Sequence, residues 1–85
     1  MIEVVERDGE FVVTVDGASH HSVRIPDDYV VELGLADVDL AELVRESFVF
    51  LLEREPKESI MRTFDLSVIE RFFPDYREEI VRRLR

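Results

Sequence analysis

The 85-residue chain has no cysteine and no tryptophan, only 3 glycines and 3 prolines, and a single lysine. Each shortage removes a class of chemistry. Without cysteine there is no disulfide, no thiolate nucleophile and no thiolate metal ligand. Three glycines are too few for a phosphate-cradling loop, and none of Ser19, Ser22, Ser47, Ser59 or Ser67 sits in the glycine-flanked elbow that exposes a nucleophilic serine. A membrane-spanning helix needs about 18 uninterrupted apolar residues, whereas the longest run here is Phe48 to Leu52. The opening Met1-Ile2-Glu3-Val4 has neither the basic segment nor the apolar core of a secretory leader, so a cytoplasmic setting without a membrane partner is the expectation.

What is present is acid. The chain carries 20 Asp+Glu against 11 Lys+Arg, a formal net charge of -9. Residues 1 to 56 hold 4 basic and 14 acidic side chains, and residues 57 to 85 hold 7 and 6, so the negative charge lies in the first two thirds. No basic residue occurs between Arg24 and Arg45, where Asp27, Asp28, Glu32, Asp37, Asp39 and Glu42 accumulate. Such a surface repels nucleic-acid backbones and anionic lipid, and it suits either solvation or a basic protein partner. The only basic cluster, Arg77, Arg82, Arg83 and Arg85, complements the negative end of a terminal helix or docks on the acidic region of a second copy.

Two β-branched runs, residues 2 to 7 and 10 to 16, flank Asp8-Gly9, a favoured two-residue hairpin turn. That turn sets Glu6 opposite Phe11, Val4 opposite Val13 and Ile2 opposite Val15 on the core face. It sets Arg7 against Glu10, Val5 against Val12 and Glu3 against Thr14 on the other. After a second turn at Asp16-Gly17, a third strand runs from His20 to Ile25, with His21, Val23 and Ile25 alternating against His20, Ser22 and Arg24. Pro26 ends it.

Pro26, the acids that follow it and Gly34 bracket a short helix over Asp27 to Leu33 with Tyr29, Val30 and Leu33 as its apolar stripe. Asp39 with Glu42 has capping-box spacing and opens a long helix that Pro56 stops. Its periodic face is Leu40, Leu43, Val44, Phe48, Leu51 and Leu52, and Val49 and Phe50 extend the apolar surface all round its second half. A helix of this kind has to be covered on both sides, by the sheet on one and by C-terminal helices or another subunit on the other. Three brief helices are expected beyond Pro56, over Lys57 to Thr63, Ser67 to Phe73 and Asp75 to Leu84. The first two also read as a helix-turn-helix offering Ser67, Glu70 and Arg71, a poor groove surface because of the glutamate.

Candidates for catalysis and metal binding are sparse. His20 and His21 are the only imidazoles, and neighbours in a strand point to opposite faces, so they do not chelate one ion together. Asp37, Asp39 and Glu42 lack the glycine and terminal glutamate of a calcium loop, and helix capping accounts for them better. The expectation is no catalytic residue, no metal and no cofactor.

One stretch resembles a known family. Ser22-Val23-Arg24-Ile25-Pro26-Asp27-Asp28, a helix, and then Leu40 to Leu52 resemble the strand, first helix and second helix of ribbon-helix-helix proteins, over residues 22 to 55. The resemblance implies a dimeric DNA-binding regulator or antitoxin whose partners' strands pair into a ribbon, with His20, Ser22 and Arg24 as the outward side chains that enter the major groove. Asp37 and Asp39 stand where the second helix would meet phosphate, and acid there opposes DNA.

Together these readings predict one α+β domain over residues 1–85. A three-stranded antiparallel β-meander (1–26) packs on one long central helix within a two-helix segment (27–55), and short C-terminal helices (56–85) close the other side. The favoured function is a non-enzymatic, homodimeric protein-protein interaction module of regulatory or antitoxin-like character, with Phe50, Phe72, Phe73 and Tyr76 as partner-binding residues. The alternative is the ribbon-helix-helix DNA-binding regulator.

Overall fold

Four β-strands and four α-helices make up the computed structural model, which describes residues 1–85 throughout. Strands β1 (Ile2–Arg7), β2 (Glu10–Val15) and β3 (Ser19–Arg24) form the antiparallel meander. The β1–β2 register pairs Ile2 with Val15, Val4 with Val13 and Glu6 with Phe11, as the turn chemistry requires. Asp8 (φ 53) and Gly9 (φ 81) are both left-handed, the two-residue conformation whose twist matches that of the flanking strands. Val13, Val15 and Val23 are fully buried on one face, while Val5 stands 56% exposed on the other.

Helix α1 (Asp27–Leu33) ends at Gly34 in the left-handed conformation (φ 73) and buries Tyr29, Val30 and Leu33. Helix α2 (Leu40–Leu52) begins at Asp39, whose Oδ1 accepts from the Ala41 N–H at 2.9 Å. The reciprocal half of the capping box does not form, because the Glu42 carboxylate is drawn to Arg45, 3.1 Å away and three residues on. Phe48 and Phe50 are two residues and so about 200° apart on the helix. Phe48 accordingly meets the sheet side, against His21 and Phe64, and Phe50 meets the C-terminal side, against Phe73 and Tyr76. Both are fully buried, so α2 is covered on two sides within one chain.

The sheet departs from the expected three strands. Thr63–Asp65 forms β4, parallel to β3, so the sheet is mixed with strand order β1-β2-β3-β4. The helix expected over Lys57 to Thr63 is reduced to a single 3-10 turn, Lys57–Ser59, after which the chain runs extended. The reason is capture of this backbone by β3: the Ser22 N–H donates to the Arg62 carbonyl at 2.6 Å, and the His21 imidazole holds the Met61 carbonyl at 2.8 Å. Hydrogen bonds to a sheet here outweigh a local helix too short to persist. The helix expected over Ser67 to Phe73 is a 3-10 turn, Leu66–Val68, running into the four-residue α3 (Ile69–Phe72), so no helix-turn-helix is built. Helix α4 (Tyr76–Leu84) closes the side of α2 away from the sheet.

Arg77, Arg82, Arg83 and Arg85 are all engaged within the chain. They pair with Glu32 and Glu70, with Glu79, with Glu53 and Glu79, and with Asp37 respectively. Arg77, Arg83 and Arg85 thus reach back to acids of the first two thirds, at Glu32, Glu53 and Asp37, while Arg82 pairs within its own helix. No helix is long and apolar enough to cross a membrane.

Candidate functional site

The residue before a proline is pushed out of the helical region, and Phe73 (φ -131, ψ 89) ends α3 in this way ahead of Pro74. Helical geometry within α3 sends Ile69 into the core, and the break turns Phe73 onto Phe50, with centroids 6.0 Å apart and planes nearly perpendicular. Phe72 is left outside, 65% exposed. Together with the end of α2 and the extended segment before β4, these side chains outline an apolar groove of about 480 Å³. Buried Leu51, Ile60, Phe64 and Ile69 form its floor, and Met61, Phe72 and Phe73 form its lip. Seven of the nine lining residues are hydrophobic, and the two polar ones are Glu55 and Ser59. Glu55 has no basic side chain within 4 Å, unlike most acids of the C-terminal half.

Of the aromatic residues expected to meet a partner, only two can be reached. Phe72 is exposed and Phe73 is half-buried, but Phe50 and Tyr76 have no accessible surface. Phe50 lies beneath the Arg54 guanidinium, 3.6 Å from its ring centroid, and Tyr76 shares a 2.7 Å hydrogen bond with Ser47. Both hold the core together instead of presenting a surface. Ile60 and Met61 are groove residues that sequence reasoning missed. An apolar pair standing just past Pro56 and off any helical stripe was the available signal.

His20, Ser22 and Arg24 do share the outward face of β3, but their strand is interior. It pairs with β2 along its length and with β4 over Ser22–Arg24, so the edge at Ser22 and Arg24 is not free for a second copy's strand. Their polar atoms also have partners. His20 Nδ1 lies 3.2 Å from Thr14 Oγ1, Ser22 Oγ donates to Glu10 at 2.7 Å, and Arg24 lies 3.9 Å from the same carboxylate.

His21 points the other way and is 3% exposed. A carbonyl only accepts, so Nδ1 carries a proton toward Met61, and Nε2 lies 2.9 Å from the Ser19 hydroxyl. Both ring nitrogens are thereby occupied, and the ring packs 5.3 Å from Phe48. This is a core histidine that ties β3 to the segment before β4.

A polar crevice lies between α1 and α3, where the Tyr29 hydroxyl donates to Glu70 at 2.6 Å and Arg77 donates to the other Glu70 oxygen at 3.2 Å. The hydrogen bond from Tyr29, and then Arg77, hold the Glu70 carboxyl below its ordinary range. Burial, and then Glu70, push the Tyr29 phenol well above its own. Both shifts move away from neutrality, so the carboxylate stays ionised and the phenol protonated. This is opposite to the tuning that proton transfer at neutral pH requires. No three His, Asp or Glu side chains gather where they could hold one ion. Compared with known proteins, the chain matches no family model, no curated protein and no solved structure.

Proposed function

We propose that this chain is a non-enzymatic protein-protein interaction module, working as a homodimer, whose groove beside β4 takes a segment of another protein. The segment presents a large apolar side chain flanked by basic residues. One observation carries this reading: Phe72 stands 65% exposed at the lip of a mostly apolar groove. Large apolar side chains rimming a concavity mark interaction surfaces, because leaving them in water forgoes roughly 25 cal/mol per Å² of burial. The charge of the expected partner follows from the unpaired Glu55 in the groove wall and from the net charge of -9, which draws a basic segment in and repels an acidic one. Occupying such a segment masks it, the action of a regulatory or antitoxin-like protein.

The test is a photo-crosslinking amino acid placed at position 72 in the native host, followed by mass spectrometry of the crosslinked partner and binding of its crosslinked segment. Phe72→Glu should weaken that binding by about thirtyfold, the loss typical of an aromatic hot-spot residue. An unchanged affinity, or a crosslinked segment that is acidic, would refute the reading. The DNA-binding alternative has no comparable support, since β3 is paired on both edges and Glu10 stands beside Ser22 and Arg24. A duplex mobility shift at low salt that is lost in Arg24→Ala would revive it.

A further inference from the structure

The two edges of the sheet are unequal. At one end β4 is three residues long, whereas at the other β1 offers six residues with no partner along its outer side. The two-residue turn at Asp8-Gly9 determines which backbone groups face outward. Arg7 and Glu10 exchange both hydrogen bonds, and alternate pairs repeat the pattern, so Glu3, Val5 and Arg7 direct their N–H and C=O groups to β2. The Met1 carbonyl, accepting from the Asp16 N–H at 2.7 Å, continues the same alternation. The free N–H and C=O groups at the edge are therefore those of Ile2, Val4 and Glu6.

The side chains along this edge are also uncommitted. Val5 is 56% exposed, and Glu3, Glu6 and Arg7 are exposed. None of the three charges has an ion partner within 4 Å, although seven of the chain's arginines do. Charges on an edge strand ordinarily discourage another strand from adding to it. Here their spacing favours one addition. A strand that pairs antiparallel with its own copy, and keeps the two core faces on one side, must centre on a residue. Centred on Glu3, Glu6 or Arg7, the pairing sets a charge against itself. Centred on Val4, it sets Glu3 against Val5 and Glu6 against Ile2. Centred on Val5, it sets Glu3 against Arg7 at both ends and brings the two exposed valines together beside Val12. The outward groups of Val4 and Glu6 then bond across.

We propose that two copies of this chain pair through β1, antiparallel and centred on Val5, so that Glu3 of each faces Arg7 of the other and two four-stranded sheets become one of eight. A shallow trough lined by Met1, Ile2, Val49 and Leu52 together with Arg45 and Glu53 adjoins the same edge on the helix side. The arrangement rests on the homodimer part of the function proposed above and is independent of the groove, which lies at the β4 end of the sheet.

The experiment is sedimentation velocity on the full chain at rising concentration, with circular dichroism to confirm folding. Wild type should dimerise. Arg7→Glu and Glu3→Arg should each weaken the dimer by about tenfold or more, because each puts like charges opposite one another twice, and the double exchange should restore it. Because the chain has no cysteine, Val5→Cys adds a direct reading. Under mild oxidation it should form a disulfide-linked dimer, since non-hydrogen-bonded partners place their Cα atoms about 4.5 Å apart, and Ala36→Cys should not. A wild type that stays monomeric at high micromolar concentration overturns both the pairing and the homodimer reading. A dimer indifferent to the charge exchanges, or to position 5, overturns this pairing alone.

Discussion

The buried hydrogen bond between Ser47 and Tyr76 should respond asymmetrically to removal of its two hydroxyls. Both residues are fully buried, one on α2 and the other at the start of α4. Ser47 Oγ donates its only proton to the Leu43 carbonyl at 2.7 Å, so across the 2.7 Å contact between the hydroxyls Tyr76 must be the donor. Tyr76→Phe removes that donor and leaves Ser47 still bonded to Leu43, a loss of about 0.5–1.5 kcal/mol. Ser47→Ala instead strands a phenolic O–H in the core at about 1–3 kcal/mol, offset by about 0.5 kcal/mol from alanine's better helix propensity. With both hydroxyls gone nothing is left unpaired, so the double variant should fall short of the summed losses by about 1 kcal/mol. Urea unfolding followed by circular dichroism measures all four corners of the cycle. In a domain of this size each kcal/mol also moves the thermal midpoint by about 4–8 °C. Additive losses within about 0.3 kcal/mol would refute the coupling, and a larger effect of Tyr76→Phe than of Ser47→Ala would refute the assigned direction.

Three further positions each carry an expected outcome. His21→Leu, close in bulk, should destabilise by about 1–3 kcal/mol because the Met61 carbonyl loses its imidazole donor, and amide exchange at Ser22 should rise as β4 loosens. An unchanged exchange rate would show that the histidine does not tie that segment down. Gly34→Ala should cost about 1 kcal/mol in denaturant unfolding from its left-handed φ of 73 alone, since an added Cβ meets nothing within 4 Å; a loss several times larger would point to a steric cause instead. In acid, Glu70 is held below its ordinary 4.5 by Tyr29 and Arg77 in the folded state, so its contribution is present above that pH and lost as the pH falls through the folded value. Glu70→Gln should therefore flatten the acid limb of the stability curve below about pH 5 and leave its shape near neutrality unchanged; equal acid slopes in the two proteins would refute this.

Much of the fold was legible because its signals are local. Asp8-Gly9 sets the hairpin register through backbone conformation alone, so Val4 meets Val13 whatever the rest of the chain does. Gly34 and Asp39 likewise mark helix ends through groups no more than four residues away. The aromatic cluster around Phe72 was visible as composition, but which of its members faces water was not. That depends on the break at Pro74 and on how α4 covers Phe50, neither of which has a periodic signature.

Residues 57–65 show where sequence and tertiary structure part. By itself the sequence determined a hairpin with a third strand, an α2 too apolar to stand uncovered, and an acid excess concentrated in its first two thirds. These are properties of neighbouring residues and of sums over the chain. Only the tertiary structure decided that Thr63–Asp65 is a strand, that β3 is enclosed instead of free, and that the C-terminal arginines turn back on the chain's own acids. Those outcomes hang on hydrogen bonds such as His21 to Met61, whose partners lie forty residues apart, a distance at which no spacing rule operates.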